Sequence, residues 1–428
     1  MMISTVPALS PMHNQIRDYA WGSTSALAQM QCRTPGGGPE AELWMGAHPA
    51  APSELVLDND EAMSLADVVA RFPESVLGAD SVARFGPRLP FALKVLAIAR
   101  PLSVQVHPTA ARAQARYRPG EDSPYVDNCH KPELLYALES SEALFGFRTP
   151  TLAAMLLRRL GCDRLTGLIE ILESPAEDEP PAGNESPAGS AAAAESVGPR
   201  PDDAQRLHAA LSALVRWPLS ERAALVADLA TASIRVKAAG NTDYPEAFGW
   251  LDRLIGLYPA DPMVLAPLLL DLVRLSPGQT IFVPAGVPHS YLSGMGVEIL
   301  TNSDNVVRAG LTGKTVDVQE LLEVVDSRPF IPTGTAATTL SEHEVVWRPE
   351  VEDFQLSRIV LDGQVVTADR SITGPQILLC TRGKVQIQAG SRTVQLAPGF
   401  SAFVTAEAGP LTLSGGGEVF RAAPGLFS

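Results

Sequence analysis

Three polar side chains alternate with two valines in PLSVQVHP, residues 101–108. Alternate side chains of an extended chain point to opposite faces, so Ser103, Gln105 and His107 would share one face and Val104 and Val106 the other. Histidine nitrogens and carbonyl or carboxylate oxygens are ligands for divalent cations. The segment therefore suggests half of a metal site and requires further ligands from elsewhere in the chain.

Other histidines beside strand-like segments can complete such a site. His130 lies in DNCHKPELLYAL, three residues before Glu133, and His289 lies in VPAGVPHSYLSG. Two histidines, one carboxylate and one further oxygen donor suit Zn²⁺ or a similar ion and leave room for substrate. Gln105, His107, Glu133 and His289 form such a set. Their separations match no compact motif, so the residues alone leave open that each is an ordinary hydrogen-bonded polar side chain.

Composition restricts the class of protein. The chain has 428 residues and a formal charge of −15, from 48 acidic and 33 basic residues, which disfavours binding to nucleic acid or to anionic membranes. The four cysteines are dispersed, as is typical of reduced thiols in the cytoplasm. The N-terminal segment lacks a secretory pattern, and the longest apolar run, PMVLAPLLL, is too short to cross a bilayer. We expect a cytoplasmic protein with no nucleic acid or membrane partner. An anionic substrate would need a local basic pocket.

The sequence pattern changes twice along the chain. Short β-like runs fill residues 41–148, and helical periodicity follows in TLAAMLLRRLG, QRLHAALSALVRWPLSERAALVADLATASIRVKAAG, AFGWLDRLIGLYP and VLAPLLLDLVRLS. Segment 174–203 is rich in Pro, Gly, Ala and acidic residues, which predicts a flexible surface insertion. Strands resume at Gly278, VDVQELLEVVD predicts a short helix, and a second β-rich block runs from about Glu342. The prediction is a mainly β protein with an α insert.

Several motifs resemble type I phosphomannose isomerases, which are mannose-6-phosphate isomerases. They are YAWGS, AELWMGAHPAAPSE, PFALKVLAIARPLSVQVHP, DNCHKPELLYAL, and VPAGVPHSYLSG followed by NSDNVVRAGLTGK; they occur in the family's order and cover residues 19–314. The resemblance implies a cupin-type β-barrel catalytic domain (1–148 and 265–335), a helical insert (149–264) and a C-terminal cupin-like β domain (336–428). It also implies one zinc ion per chain on Gln105, His107, Glu133 and His289, a sugar phosphate substrate, and a role in carbohydrate metabolism that supplies GDP-mannose biosynthesis. We expect a monomer.

Aldose–ketose isomerisation passes through an enediolate, whose charge a metal ion or a fixed arginine can stabilise. The resemblance places the catalytic arginine at Arg308, for which a surface salt bridge is the alternative. Lys314 would hold the phosphate or orient the sugar, or be a solvated lysine. Ser103 would contact the phosphate, or bond to backbone. Trp21, like Trp44, would line the sugar pocket or belong to the core.

The proton-transferring group is the least determined part of the site. The stretches that match the family contain five further candidates: His130, Lys131, Lys94, Glu298 and Asp304. A base must combine hydrogen-bond reach with a suitable pKa, and sequence gives neither. We favour the His130–Lys131 pair, with Asp304 as a supporting polar residue. Lys94 stands between apolar residues and is either a buried lysine of lowered pKa or a structural one.

Three other functions are compatible with parts of this pattern. A bifunctional isomerase and nucleotidyltransferase would need a glycine-rich nucleotide-binding segment followed by basic residues, and TPGGGPEAE lacks Lys and Arg. A noncatalytic metal- or sugar-binding cupin would not need Arg308, Lys314 and the His130–Lys131 pair. A metal-dependent oxygenase on the same barrel would use iron. Isomerisation is the interpretation that uses most of the motifs.

Overall fold

Two antiparallel sheets and a group of helices make up the fold in this computed structural model. It describes residues 6–57, 61–120, 125–174, 200, 202–240 and 243–426. The predicted surface insertion, residues 174–203, falls mostly outside this range. The protein is mainly β with a helical insert, as the sequence predicts.

The strands and helices are numbered in chain order. The strands are β1 Leu9–His13, β2 Gln15–Arg17, β3 Glu42–Met45, β4 Glu54–Val56, β5 Ala62–Ser64, β6 Phe91–Ile98, β7 Val104–Val106, β8 Glu133–Ala137, β9 Ser141–Phe147, β10 Leu270–Leu275, β11 Thr280–Val283, β12 His289–Thr301, β13 Val307–Gly310, β14 Ala337–Thr339, β15 Glu344–Trp347, β16 Gln355–Asp362, β17 Val366–Thr367, β18 Gln376–Ala389, β19 Arg392–Leu396, β20 Ser401–Val404 and β21 Leu411–Ala423. The α-helices are α1 Ala26–Met30, α2 Leu65–Arg71, α3 Pro73–Leu77, α4 Ala79–Phe85, α5 Ala110–Arg116, α6 Pro150–Leu160, α7 Thr166–Glu173, α8 Asp203–Val215, α9 Leu219–Ala238, α10 Pro245–Leu257, α11 Ala266–Leu269 and α12 Val318–Val324. Short 3₁₀ turns cover Asp163–Leu165 and Pro262–Leu265.

The first sheet, sheet I, is organised around β12. Its 10 strands include the order β10-β9-β12-β6-β3-β2, and β12 also pairs with β7 and β8. Every residue of β6 is buried, because β12 and β3 flank it. Gly294 lets β12 approach β9, since its φ is +115° and an added Cβ would lie 2.2 Å from Ser141 Oγ. The long, multiply paired β12 thus connects the segments that carry the predicted site residues.

The second sheet, sheet II, joins the two ends of the chain. Its 11 strands include the order β14-β15-β16-β21-β18-β20-β1-β4-β5. In this order β1 pairs with β20, with Leu9 opposite Val404. The N-terminal strand, which the sequence division assigns to the catalytic domain, therefore hydrogen-bonds to C-terminal strands. Among the described strands, the first and last strands of each sheet order do not pair with each other. The barrel implied by the resemblance is therefore not a closed ring of hydrogen-bonded strands.

The helices between β9 and β10 form an apolar cluster against sheet I. Helix α6 begins at Pro150, where Thr149 Oγ1 accepts a hydrogen bond from the Leu152 backbone N–H at 3.4 Å, and it ends at the left-handed Gly161. The leucines of these helices share one cluster with Val104, Val106, Val307 and Ala309 of β7 and β13. The valine face of the opening motif thus packs on the helical insert.

One predicted helix is wrong in its second half. The run VLAPLLLDLVRLS is helical only to Leu269, after which Leu270–Leu275 is a strand paired with β9. A short apolar run fits a buried helix and a buried strand equally well, and the free edge of β9 decides between them. The predicted β-like region 41–148 also contains helices α2 to α5, whereas VDVQELLEVVD forms the expected short helix, α12.

Two further expectations concern the chain as a whole. Among the described residues, no helix is both long enough and apolar enough to span a membrane. All four cysteines, Cys32, Cys129, Cys162 and Cys380, are free thiols.

Candidate active site

Strands β7, β8 and β12 bring four polar side chains together at one end of sheet I. His289 is the first residue of β12 and stands opposite Gln105 of β7. Glu133 is the first residue of β8, and His107 follows directly after β7. Arg308 of β13 pairs with Gln105 from the other side. The alternation seen in the sequence thus directs one face of β7 to this cluster.

The spacing of these groups suits a single small cation. Donor atoms of His107, Glu133 and His289 all lie within 4.8 Å of one another. His107 Nε2 is 3.3 Å from Glu133 Oε1, and His289 Nε2 is 3.5 Å from Glu133 Oε2. The side-chain amide of Gln105 lies 3.3 Å from His289 Nε2. Two imidazoles, a carboxylate and an amide oxygen are a donor set for zinc or a similar divalent ion.

Hydrogen bonds fix the tautomers of both histidines. His107 Nδ1 donates to the Asn305 carbonyl at 2.8 Å, and His289 Nδ1 donates to the Val287 carbonyl at 3.0 Å. Because a carbonyl only accepts, each Nδ1 carries the proton and each Nε2 presents a lone pair to the cluster. Within the described chain, buried His107 Nε2 and Glu133 Oε2 lack hydrogen-bond partners. Leaving such atoms unpaired costs about 1–3 kcal/mol each, so the cluster fits a bound cation.

The surrounding charges hold these ligands in the protonation states that a metal requires. Burial, reinforced by the positive charge of Lys131, lowers the pKa of His107 to about 4. Burial would raise the pKa of Glu133, but Lys131 and His107 outweigh it and the pKa lies well below its usual value. Lys131 Nζ is 2.9 Å from Glu133 Oε1. At neutral pH the site therefore offers neutral imidazole and an ionised carboxylate.

A cavity of about 740 Å³ opens from this cluster and collects most of the predicted residues. The predicted metal ligands Gln105 and Glu133 line it, and buried His107 and His289 lie behind them. The predicted catalytic and substrate-binding residues in its wall are Arg308, Lys131, Asp304, Glu298, Lys94, Ser103, Lys314 and Trp21. Residues as far apart in sequence as Trp21 and Lys314 thus share one cavity.

His130 is the predicted residue that the structure does not bring to this cavity. It lines a different cavity, of about 600 Å³, and its Nε2 lies 2.8 Å from Asp353 Oδ2. Lys131 and Glu133 are two residues apart and lie on the same side, whereas His130 points the other way, as adjacent residues of an extended chain do. The predicted His130–Lys131 pair is therefore not assembled around the ligands.

The comparisons with known proteins agree with this geometry. The family model of the phosphomannose isomerase type I catalytic domain matches residues 9–150, and that of the mannose-6-phosphate isomerase cupin domain matches residues 347–424. Mannose-6-phosphate isomerase of Escherichia coli strain K12 is 32% identical over 95% of this chain and 97% of its own length. The chain belongs to the type I phosphomannose isomerases. It is an enzyme of the isomerase class, and the family resemblance seen in its motifs is confirmed.

Other relatives and solved structures of the family cover the whole fold. The enzyme of Salmonella typhimurium strain LT2 is 34% identical over 95% of this chain and 97% of its own length. The R274A mutant of phosphomannose isomerase from Salmonella typhimurium superposes with a TM-score of 0.82 at 30% identity, covering 98% of this chain and 100% of the other. A zinc-bound mannose 6-phosphate isomerase does so with a TM-score of 0.81, with the same identity and coverage. This match supports the predicted cupin-type architecture of a phosphomannose isomerase.

Glu42 is a site residue that sequence reasoning missed. Its Oε2 lies 3.4 Å from Lys94 Nζ and accepts a hydrogen bond from Trp44 Nε1, and all three side chains line the cavity. The Lys94 ammonium stands 4.1 Å from the Trp44 ring centroid. The signal was present in AELWMGAHP, where residues 42 and 44 alternate with apolar neighbours, but nothing in the sequence connects that run with Lys94.

Glu298 and Lys94 face each other across β12 and β6. Burial and the negative charge of Glu133 raise the pKa of Glu298 to about 8. Burial lowers the pKa of Lys94, but Glu42 and Glu298 outweigh it, so this pKa is raised. The predicted alternative of a lysine with a lowered pKa is therefore wrong, because the Glu42 carboxylate lies beside the ammonium and favours its charged form. Glu298 is the carboxyl group of the site that can carry a proton near neutral pH.

His48 is a second residue that the sequence analysis did not select. Its Nε2 lies 3.3 Å from Asp304 Oδ2, and its ring contacts Trp44 edge-on at 4.8 Å between centroids. Burial lowers the pKa of His48, with Asp304 acting in the opposite direction. Asp304, which lines the cavity, is thus fixed by a largely neutral imidazole.

Proposed function

We propose that this chain interconverts mannose 6-phosphate and fructose 6-phosphate through an enediolate. The observation that carries the proposal is the convergence at one cavity of Arg308 with buried His107, Glu133 and His289, two of whose atoms lack hydrogen-bond partners in the described chain. Membership of the phosphomannose isomerases supports the reaction. A noncatalytic binding module would not need basic and proton-carrying groups beside the ligands.

The proposed cofactor is one zinc ion per chain, held by Gln105, His107, Glu133 and His289. The buried unpaired atoms and fixed tautomers support this, and related solved structures are zinc-bound. When bound, zinc supplies electrophilic polarisation of the substrate oxygens and stabilises negative charge on them.

The remaining steps belong to side chains of the chain itself. Isomerisation of the open-chain aldose removes the proton from C2 and returns a proton to C1, while the hydroxyl proton leaves O2 and a proton is gained at O1. Glu298, whose pKa of about 8 leaves it able to lose and regain a proton, is the proposed carrier. Lys131, 2.9 Å from Glu133 Oε1, is proposed to orient the substrate oxygens. Arg308 is placed to stabilise the enediolate charge by charge-assisted hydrogen bonds.

Substrate binding is assigned to the wall of the same cavity. Lys314 and Ser103 would contact the phosphate, and Trp21 and Trp44 would enclose the sugar. Asp304, held by His48, is proposed to bind a sugar hydroxyl. The domain division at residues 148, 264 and 335, a monomeric state and a cytoplasmic location belong to the same proposal; the free cysteines are consistent with a reducing compartment.

A coupled assay tests this function. Purified protein is incubated with mannose 6-phosphate, and fructose 6-phosphate is followed before and after chelation of the metal. We expect turnover that chelation abolishes and zinc restores. Arg308→Ala should keep its zinc and lose about 10²–10³ in kcat, because a charge-stabilising donor is removed. Arg382→Ala, which changes an exposed arginine of β18, serves as the control and should turn over normally. Lack of turnover by the zinc-loaded protein would favour the noncatalytic cupin.

A further inference from the structure

The basic side chains of the cavity fall into two groups. Lys131 pairs with Glu133 at 2.9 Å and Lys94 with Glu42 at 3.4 Å. Arg100, Arg308 and Lys314 also line the cavity, yet in the described part of the chain none of them forms an ion pair within 4.0 Å. In a chain of charge −15, three unpaired cations on one cavity create a local positive field. Such a group is suited to an anion.

Strand register places two of these cations at the same end of the cavity. Antiparallel pairing sets Arg308 opposite Gln105 and Gly310 opposite Val104. Arg100 lies before Val104 in the sequence, and Lys314 lies after Gly310. Because the two strands are antiparallel, the segments that carry Arg100 and Lys314 leave the β7–β13 ladder at the same end, on the side away from His107.

The helical insert contributes a hydroxyl group at that end. Asp261 Oδ2 accepts a hydrogen bond from the Leu311 backbone N–H at 2.6 Å, and the Asp261 N–H donates to the Tyr258 carbonyl at 3.2 Å. Tyr258 is thereby tied to the segment that leads to Lys314, and its side chain lines the cavity. Burial and the negative charge of Asp261 raise the pKa of Tyr258 and the charge of Arg100 opposes this, so the Tyr258 and Arg100 side chains lie within electrostatic reach of each other.

We propose that Arg100 and Tyr258, together with Lys314, bind the phosphate group of the substrate and make the enzyme select phosphorylated sugars. The inference rests on the proposed function of the cavity and adds two residues to its substrate site. A phosphate monoester carries nearly two negative charges and three acceptor oxygens. The guanidinium fork of Arg100, the ammonium of Lys314 and the hydroxyl of Tyr258 offer complementary donors. Arg308, nearer the metal ligands, then remains available for the enediolate.

Steady-state kinetics of the zinc-loaded protein test the two added residues. Arg100→Ala should raise KM for mannose 6-phosphate about tenfold and leave kcat within about twofold, because the lost contact is made equally in ground and transition states. Arg100→Lys should recover part of the loss. Tyr258→Phe should raise KM about two- to fivefold. The control Arg382→Ala removes an exposed arginine of β18, outside this cavity, and should leave both constants unchanged.

Titration with inorganic phosphate separates this inference from the proposed function, since it needs no turnover. The dissociation constant should weaken about tenfold in Arg100→Ala and stay unchanged in Arg382→Ala. An inactive wild-type protein whose phosphate affinity still depends on Arg100 would overturn the isomerase function and support the anion site. An active enzyme whose KM and phosphate affinity are both unchanged in folded Arg100→Ala would overturn the phosphate assignment alone.

Discussion

Asn305 orients His107, a proposed metal ligand, through its backbone carbonyl. Its backbone carbonyl accepts the Nδ1 proton of His107, and its buried side-chain amide donates to the carbonyls of Asp127 at 2.9 Å and Cys129 at 2.8 Å. The amide oxygen accepts from the Val126 N–H at 2.9 Å. One side chain thus fastens the segment before β8 to the segment that holds the His107 ring.

Asn305→Ala should therefore affect both stability and metal binding. Four backbone groups, of which the Cys129 carbonyl is fully buried, lose a partner, so we expect the free energy of unfolding to fall by about 2–4 kcal/mol. Zinc affinity should fall about 10- to 100-fold, because the carbonyl that orients His107 is less firmly held. Urea unfolding and competition with a zinc chelator measure the two effects. Asn302→Ala, which loses one hydrogen bond to the Leu89 carbonyl, should keep its zinc affinity; an equal loss there would refute the argument.

At the scale of elements, a carboxylate joins helices α5 and α12. Glu320 is 2% exposed and accepts two hydrogen bonds from Arg112, both at 2.8 Å, and one from the Tyr125 hydroxyl. Burial would raise the pKa of Glu320, but the hydrogen bonds from Arg112 and Tyr125 outweigh it and the pKa is lowered. A carboxyl group with a lowered pKa in the folded state stabilises the fold above its unfolded pKa, about 4.3.

This contribution should disappear in acid. As the pH falls below about 4.3 and through the lower folded pKa, the folded state of the wild-type protein loses the stabilisation by Glu320. Glu320→Gln should be about 1–3 kcal/mol less stable at pH 7 and should lose less stability between pH 7 and pH 3. Unfolding in urea at several pH values measures both. Glu323→Gln, whose exposed carboxylate is 3.7 Å from Arg112, should change stability by less than about 0.5 kcal/mol; an acid dependence of Glu320→Gln equal to wild type would contradict the assignment.

The elements also show what sequence reasoning could reach. The alternation in SVQVHP predicted that Gln105 and His107 share one face of a strand, because this pattern depends only on neighbouring residues. The strand Leu270–Leu275 was predicted as helix, since only the partner strand β9 distinguishes the two. His130 was selected with Lys131 because the two residues are adjacent, but adjacent side chains of an extended chain point to opposite faces. Glu42 could not be paired with Lys94, because that contact depends on the β3–β6 pairing.

At the scale of the whole molecule, the two sheets have different roles. Sheet I carries the cavity, whose unpaired cations give it a local positive charge although the formal charge of the chain is −15. Sheet II includes strands from both ends of the chain, so the N-terminal strand β1 depends on the C-terminal strand β20. The family models match segments in both parts, residues 9–150 and 347–424. The sequence boundaries at residues 148 and 335 describe the order along the chain and do not capture this pairing.

Zinc content tests the central claim most directly, that two distant histidines, a glutamate and a glutamine form one metal site. Wild-type protein, His289→Ala and the control His343→Ala are loaded with zinc, dialysed and measured by mass spectrometry, with circular dichroism to verify folding. We expect about one zinc per chain in wild type and in His343→Ala, and less than about a tenth in His289→Ala, because a coordinating imidazole is removed. Folded His289→Ala that retains one zinc per chain would contradict the account.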